Sequence, residues 1–344
     1  GVSPVFKIKG GLTLTAPTAG VNRIAATTNT IAWNYTGTIG TFKAYYSLNS
    51  GTGPWTLIDS PTSASVCTGG SCSYSWVFNG VVAVPSAVTN TARIRITNAA
   101  DETDVISEGT DFKFGAQFNV LSPENGAPVN AEDTATNVTW TIDKGTAIGK
   151  IKVYYSNNAS AGSPVWTEIT PAGGINSATT FNWNPIPRDY ASIASTDHKI
   201  KVTQFDPLNE TDTANIGDGG PFPIHANLTV TVPAGGVSWN SLTNNQIRFT
   251  KKGNIKSVDL WYAVDGTNFT TKINGLPIVI EDGTPGDAAR VGGAAGPNAG
   301  PYFYDWTIPD ATALSAGSVA KIKARAVDPS SQAIPSVETP SAAF

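Results

Sequence analysis

Methionine is absent from this 344-residue chain, and histidine and cysteine occur only twice each. Charge is sparse as well: 14% of residues carry it, 22 basic against 26 acidic, for a net −4. With no block of like charge, nothing attracts a phosphate backbone or an anionic membrane surface, so nucleic acid is not an expected partner. No apolar run approaches the ~20 residues that a membrane helix needs, so membrane insertion is not expected either, and the first residues lack the basic and apolar regions of a signal peptide. A chain that opens on Gly1 without an initiator reads as a processed form or a piece cut from something longer. Catalytic material is thin. His198 heads a basic strand and His225 sits in a joint between strands, places that suit surface or hinge residues better than a general base. No GxSxG, HExxH, Walker or dinucleotide fingerprint occurs in a fitting context. A non-enzyme with no cofactor and no metal is the expectation.

Cys67 and Cys72 flank Thr-Gly-Gly-Ser, a good hairpin tip. Two thiols at that spacing fall short of a structural zinc site and lack the CxxCH of haem attachment. A local disulfide is expected, and with it an oxidising, extracytoplasmic setting; the alternative is two free thiols on a loop.

What the chain has in quantity is glycine (34) and proline (23), with threonine, serine and asparagine, set between short apolar runs. That composition suits short strands and many turns rather than helices. The stretch Phe112-Lys-Phe-Gly-Ala-Gln-Phe-Asn-Val-Leu-Ser-Pro123 has two relatives, Phe6-Lys-Ile-Lys-Gly-Gly-Leu-Thr-Leu-Thr-Ala-Pro17 and Phe222-Pro-Ile-His-Ala-Asn-Leu-Thr-Val-Thr-Val-Pro233. Each is an alternating strand, a small or polar joint, a second alternating strand and a proline. Joints this short are not flexible linkers. Pro17, Pro123 and Pro233 stand 106 and 110 positions apart, the size of one β-sandwich, and the whole length fits about three.

Period-two alternation places the strands. In residues 11–114 they carry Leu12 and Leu14, Ile31 and Trp33, Phe42, Ala44 and Tyr46, Trp55 and Leu57, Tyr74 and Trp76, Ile94 and Ile96, and Phe112 and Phe114. Residues 115–224 repeat the series as Phe118 and Val120, Val138 and Trp140, Ile151, Val153 and Tyr155, Trp166, Phe181 and Trp183, Ile200 and Val202, and Phe222 and Ile224. Residues 225–344 give Leu228 to Val232, Ile247 and Phe249, Val258, Leu260 and Tyr262, Phe269, Tyr304 and Trp306, and Ile322 and Ala324. Residues 1–10, ending in Val5, Phe6, Lys7, Ile8 and Lys9, read as the final strand of a preceding or neighbouring domain.

The series Ile31-Ala-Trp33-Asn-Tyr35, Tyr45-Tyr46-Ser47, Trp55-Thr-Leu57, Tyr74-Ser-Trp76 and Ala92-Arg-Ile-Arg-Ile96 resembles the immunoglobulin-like and fibronectin type III-like repeats of large bacterial cell-surface or secreted proteins. Residues 115–224 carry it in Thr139-Trp-Thr141, Tyr154-Tyr-Ser156 and Phe181-Asn-Trp183; residues 225–344 depart most, with Phe249 for the first tryptophan and Trp261-Tyr262 for the tyrosine pair. The resemblance implies an all-β fold of three tandem immunoglobulin-like (fibronectin type III-like) β-sandwich domains in an end-to-end array, and an extracellular or cell-surface role in a layer, filament or adhesin stalk. Its motifs are core positions, so they specify fold rather than activity. The alternative function is a carbohydrate-binding module array of a secreted enzyme.

If Ile151, Val153 and Tyr155 face the core, Lys152 and Tyr154 face out, and by the same count so do Tyr45 and Trp261. Arg93, Arg95, Lys199, Lys201, Lys321 and Lys323 alternate with apolar residues in the penultimate strand, which lies beside the tyrosine-bearing one. These residues make a candidate exposed docking face for glycan or protein, set against a plain solvated sheet face. The acidic turns at Asn98–Asp104, Asp206–Asp212 and Asp328–Ser331 lack a calcium-loop ligand pattern and read as ordinary Asn/Asp turns. Between Phe269 and Tyr304 lie 35 positions, against 15 from Trp166 to Phe181 and 19 from Trp55 to Tyr74. The surplus includes Leu276-Pro-Ile-Val-Ile280, a candidate extra strand, and a Gly/Ala-rich insertion, together near 274–300. Finally, Phe344 occupies the place of Phe112 and Phe222, and Val5–Lys9 is a candidate strand-exchange segment. Either the chain belongs to a longer array, or the N-terminal strand of one copy completes the last domain of the next, so the expected partners are copies of itself or adjacent repeats, with surface glycans as the other candidate.

Overall fold

The computed structural model describes residues 1–77, 82–124, 126, 128–186, 198–207, 216–253, 255–280, 302–309, 319–327, 333–340 and 343, with backbone alone for 216–218 and 333–340. Its strands gather into three sets of facing sheets. The first set holds β1 (Gly11–Ala16), β2 (Asn22–Ile24), β3 (Asn29–Thr36), β4 (Phe42–Ser47), β5 (Thr56–Asp59), β6 (Cys67–Thr68), β7 (Ser71–Trp76), β8 (Thr89–Asn98), β9 (Asp101–Glu108) and β10 (Phe112–Gly115), with a single helical turn, α1 (Ser63–Val66), before β6. One sheet has the order β1-β3-β7-β6 and the other β2-β10-β8-β4-β5, with β9 also on β8. This is the strand order of an immunoglobulin-like sandwich. It follows from the alternation: in β3, Ile31 and Trp33 are buried while Thr30 and Asn34 are exposed. In β8, Ala92, Ile94 and Ile96 are buried between half-buried Arg93 and Arg95.

The second set repeats the plan with β11 (Gln117–Ser122), β12 (Val129–Asn130), β13 (Thr136–Lys144), β14 (Lys150–Ser156), β15 (Thr167–Glu168), β16 (Ile175–Asn176), β17 (Thr180–Trp183), β18 (Lys199–Asp206), β19 (Ile216–Asp218) and β20 (Ile224–His225). Its sheets run β11-β13-β17 and β15-β14-β18-β19, while β12 pairs β20 in parallel, as β2 pairs β10. The third set has β21 (Asn227–Val232), β22 (Asn244–Lys252), β23 (Ser257–Ala263), β24 (Thr271–Lys272), β25 (Ile278–Val279), β26 (Tyr302–Thr307), β27 (Lys321–Val327) and β28 (Ala333–Pro340), ordered β21-β22-β26 and β24-β23-β27-β28. Corresponding residues sit in the same register: Tyr46 lies opposite Ile94, Tyr155 opposite Ile200 and Tyr262 opposite Ile322.

The core lies between the sheets. Trp33, Trp76, Trp140, Trp183 and Trp306 are all buried, as the alternation requires. Trp76 Nε1–H donates to the Val82 carbonyl at 2.8 Å, whereas Nε1 of Trp33 and of Trp140 is buried without an acceptor. One buried apolar cluster fills the first set. Another runs continuously through the second and third and reaches back to Val88.

Several expectations need correction. Ile58, not Leu57, faces inward in β5: Leu57 is exposed and Trp55 turns to the outer face, because β4 and β5 shift register between Ala44 and Tyr45. Lys152 lies on the outward side with Tyr154 but is buried there, covered by Glu168 at 3.2 Å and by the Phe205 ring at 4.2 Å. His198 is buried, not a surface residue. It takes the core position that Ala92 holds in the first set, stacks on Tyr155 at 5.8 Å between centroids, and its Nδ1 lies 3.2 Å from the Phe222 carbonyl oxygen. Leu276–Ile280 contributes β25, but that strand is not an addition: β16 holds the same place on β14 that β25 holds on β23. The rest of the insertion, from residue 281 to 300, lies outside the described residues. Residues 1–10 form no strand.

Cys67 and Cys72 are joined in a disulfide across the β6–β7 hairpin, their Cα atoms 4.0 Å apart. Among the described residues no helix is long and apolar enough to cross a membrane.

Trp33→Ala or Trp140→Ala is expected to cost ~3–5 kcal/mol in chemical denaturation, through lost burial and a cavity. Trp33→Phe should cost less than Trp76→Phe, since the first removes an unsatisfied donor and the second strands a carbonyl. The reverse order would mean that the Trp33 ring nitrogen is satisfied in solution.

Candidate functional site

The residues expected on an outer face do meet, in the same way three times. Tyr45 lies opposite Arg95, Tyr154 opposite Lys201 and Trp261 opposite Lys323 in adjacent strands. None of them is freely exposed; each is half-buried. The reason lies in residues assigned above to the core. Trp55, just before β5, stacks under the Arg95 guanidinium at 3.9 Å. Trp166, just before β15, takes Lys201 Nζ at 4.5 Å, with Tyr154 on its other side at 4.7 Å. Phe269, before β24, lies 4.7 Å from Lys323 Nζ. Each cation therefore spends its charge on the chain's own rings, with its stem lying along the sheet. An aromatic residue leading a short strand at the same point of every repeat was the available signal.

Carboxylates complete the face in the first sandwich. Arg95 pairs with Glu108 at 2.5 Å and Arg93 with Asp111 at 2.5 Å. Glu102 accepts from Lys43 Nζ at 2.5 Å and from the Tyr45 hydroxyl at 2.6 Å. Burial, and then the Glu102 hydrogen bond, raise the Tyr45 phenol above its ordinary range, while Lys43 and Tyr45 hold Glu102 below the usual carboxylate value. Lys199 and Lys321 occupy half-buried strand positions opposite Ser156 and Ala263. Among the described residues no group of three or more His, Cys, Asp or Glu side chains is placed to hold a metal. Asp101 caps its own turn by accepting from the Asp104 amide at 3.2 Å; residues 208–212 and 328–331 of the other two acidic turns lie outside the described residues.

A second repeated feature lies at the joints. Gly37, Gly145 and Gly253 follow β3, β13 and β22 with φ of 81°, 98° and 83°, a left-handed backbone that glycine adopts without strain. A Cβ on Gly37 would lie 3.2 Å from Gly10 Cα, and one on Gly145 would lie 2.9 Å from Ala116 Cα and 3.0 Å from Val88. The joint residue is thus packed against a glycine in both places. Hydrogen bonds lock the inner joints. Ala116 N–H donates to Gln204 Oε1 at 3.0 Å, and Val88 N–H donates to the Thr146 carbonyl at 3.0 Å while Thr146 N–H donates to Ser86 at 2.8 Å. At the next joint Gly253 N–H donates to Glu132 Oε2 at 2.8 Å.

The N-terminal segment behaves differently from its relatives. Phe6 is 78% and Ile8 87% exposed, where Phe112 is 2% and Phe114 0%. Only its lysines are engaged: Lys7 pairs with Asp101 and, at 2.9 Å, with Asp104, and Lys9 reaches Asp104 at 2.9 Å. Lys9 and Lys7 together draw the Asp104 carboxyl down to about 2.

The described end of the insertion borders an open recess of about 290 Å³ lined by Asn274, Leu276, Ile278 and Tyr304. Its buried Asn274 is already committed, accepting from the Leu260 amide at 2.7 Å and donating to the Leu276 carbonyl at 2.7 Å.

No family model and no curated protein matches the chain. Among solved structures it is similar to the fibronectin(III)-like modules of Clostridium thermocellum CbhA, at 15% identity over 62% of this chain and 94% of that one, with a TM-score of 0.21. It is also similar to the D1–D4 ectodomain fragment of ICAM-5, at 6% identity over 97% and 76%, TM-score 0.33, and to the I9–I11 tandem of titin, at 6% over 96% and 97%, TM-score 0.25. Likeness at this level bears on fold alone, and the immunoglobulin-like assignment rests on the strand order and register above.

A double-mutant cycle on Arg95→Ala and Trp55→Ala should return a coupling of ~0.5–1 kcal/mol; zero coupling would leave the ring and the cation as mere neighbours. Because the folded value of Asp104 lies below its ordinary 3.8, the tether it forms is fully present above about pH 4 and is lost as pH falls through about 2. In an NMR titration the Asp104 carboxyl should therefore show a midpoint near 2, moving toward 3.8 in high salt; a midpoint of 3.8 at low salt would mean the lysines are not bound.

Proposed function

We propose that the chain is an extracellular structural segment: a stiff row of immunoglobulin-like sandwiches serving in a cell-surface layer, filament or adhesin stalk, with no catalytic role. The observation that carries this reading is the construction of the joints. A small residue packs on a left-handed glycine, hydrogen bonds cross at both inner joints, and one apolar cluster runs through the second and third sets of sheets. Joints of that kind transmit load and orientation, which a display or enzyme-tethering linker does not require. The Cys67–Cys72 disulfide supports an oxidising location. The outer sheet face fits the same reading, since its rings are capped by the chain's own cations and are not left open to stack on sugars.

Small-angle scattering tests it. The radius of gyration should lie well above the ~20 Å expected for a compact globule of 344 residues, with a narrow rod-like cross-section. Gly145→Val, which puts a side chain where Ala116 and Val88 already sit, should broaden the distance distribution without melting either neighbouring sandwich. A compact particle would overturn the structural reading. Polysaccharide binding that disappears on Tyr45→Ala, Tyr154→Ala or Trp261→Ala would assign the chain instead to a carbohydrate-binding array.

A further inference from the structure

Each sandwich has a second outer face, on the sheet away from the paired cations and rings. In the first set it is built from hydroxyl and amide side chains: Thr13, Thr30, Asn34, Ser71 and Ser73 are all exposed there. Six Asn-X-Ser/Thr triplets occur in the chain, at Asn34, Asn137, Asn158, Asn209, Asn227 and Asn268. A sequence this rich in asparagine and threonine yields such triplets by composition alone, so it is the fold that separates them. Asn34 in β3, Asn137 in β13 and Asn227 in β21 are exposed, and these strands belong to the corresponding sheet of the three sets, β1-β3-β7-β6, β11-β13-β17 and β21-β22-β26. The fold thus brings one triplet of each sandwich to the same outer side.

The three amides are also held alike. Asn34 Oδ1 accepts from the Ser71 hydroxyl at 2.9 Å, Asn137 Oδ1 from Asn182 Nδ2 at 3.5 Å and Asn227 Oδ1 from the Thr229 hydroxyl at 3.1 Å. Among the described residues Nδ2 of all three has no acceptor, so the carbonyl is tied to the sheet and the nitrogen is left to solvent. Two of the other triplets spend their amides in their own turns. Half-buried Asn158 accepts through Oδ1 from the Val165 amide at 2.9 Å and the Ser156 hydroxyl at 3.0 Å, and Asn268 Nδ2 donates to the Asp265 carboxylate. Asn209 lies outside the described residues.

We infer that Asn34, Asn137 and Asn227 are acceptors of N-linked glycans, one on each sandwich. The donor is an oligosaccharide carried through its anomeric carbon on a polyprenyl phosphate, and the step needs a transferase but no oxidant or reductant. Asparagine Nδ2 bonds to the anomeric carbon as that carbon's bond to the carrier oxygen breaks; the lipid phosphate leaves with the electron pair and the amide gives up one proton. In a strand, the asparagine and the hydroxyl two residues on stand side by side on one face, which presents together the two groups that the acceptor triplet must offer. A sugar on these nitrogens breaks none of the three hydrogen bonds to Oδ1. The inference rests on the extracellular reading above, since transfer of this kind acts on exported chains, and it adds a glycan-bearing side opposite the one closed by cations and rings.

Glycopeptide mass spectrometry on the intact chain purified from its own cells tests it. Peptides containing Asn34, Asn137 and Asn227 should carry a sugar mass, and those containing Asn158 and Asn268 should not. In the same cells Asn34→Gln should lose the sugar at its own position alone, Thr229→Val should strip residue 227 while leaving 34 and 137 occupied, and Thr229→Ser should restore 227; all three changes lie on the exposed face, so the melting temperature reports whether folding is intact. Sugar at no more than one of the three positions would overturn the inference, as would equal occupancy of Asn158 or Asn268, or a sugar mass that survives Asn34→Gln on the same peptide. None of these outcomes alters the rod-like scattering of the chain, so the two readings fail separately.

Discussion

A ring wedged between two sheets is the interaction on which the rest of this architecture depends. Trp33 meets Phe42 edge-on at 5.2 Å, and Trp76 meets Tyr46 at 5.1 Å and Phe114 at 6.1 Å. Tyr155 and Trp183 meet at 4.9 Å, and Tyr262 and Trp306 at 5.3 Å. Each contact crosses from one sheet to the other, so it fixes their separation and their slide together. The last strand supplies the far wall of this box and then, one residue later, becomes the first strand of the next sandwich. The packing of one repeat and the placement of its neighbour are for that reason one structural event.

Most of the fold was legible because its strands have one wet face and one dry one. Ile31 and Trp33, Ile94 and Ile96, and Phe112 and Phe114 could not be shifted by one position without turning indole and phenyl rings to water. Among the strands that escaped notice are those for which alternation has no length to act on: β2, β6, β16 and β24 have two or three residues each and exist because a longer neighbour presents them an edge. The eight-residue β9 and β28 were missed as well; β9 begins inside the stretch read as an acidic turn and buries only Val105, so it shows no apolar alternation. Trp55 and Leu57 were misassigned for a related reason. A register shift in the β4–β5 pair inverts the parity that the rest of the sheet obeys, and nothing in the local sequence marks it. His198 defeated the reading because its residue type suggested a surface, while its position, stacked on Tyr155 and beside Phe222, belongs to the core.

The candidate outer face was legible in its residues and not in its state. Alternation places a cation next to an aromatic in each repeat, and that much follows from sequence. Whether the pair is open to a ligand depends on a third residue from another strand, and it is Trp55, Trp166 or Phe269 that closes it. A row of half-covered cations along one sheet also serves the edge problem of long β arrays, since charge and bulk on an outer face discourage stacking of sheets between molecules.

The buried apolar cluster shared by the second and third sets of sheets, which reaches the first set only through Val88, makes the chain unequal along its length. In a linear array, stability is the sum of what each unit holds and what each boundary adds, and here the two boundaries are of different kinds. The boundary between the first two sets is mostly hydrogen-bonded, through Gln204, Thr146 and Ser86, while the next is continuous with the interior on either side. Under tension or heat the chain thus has a designated point of yielding: the first sandwich can let go while the latter two remain a single cooperative block.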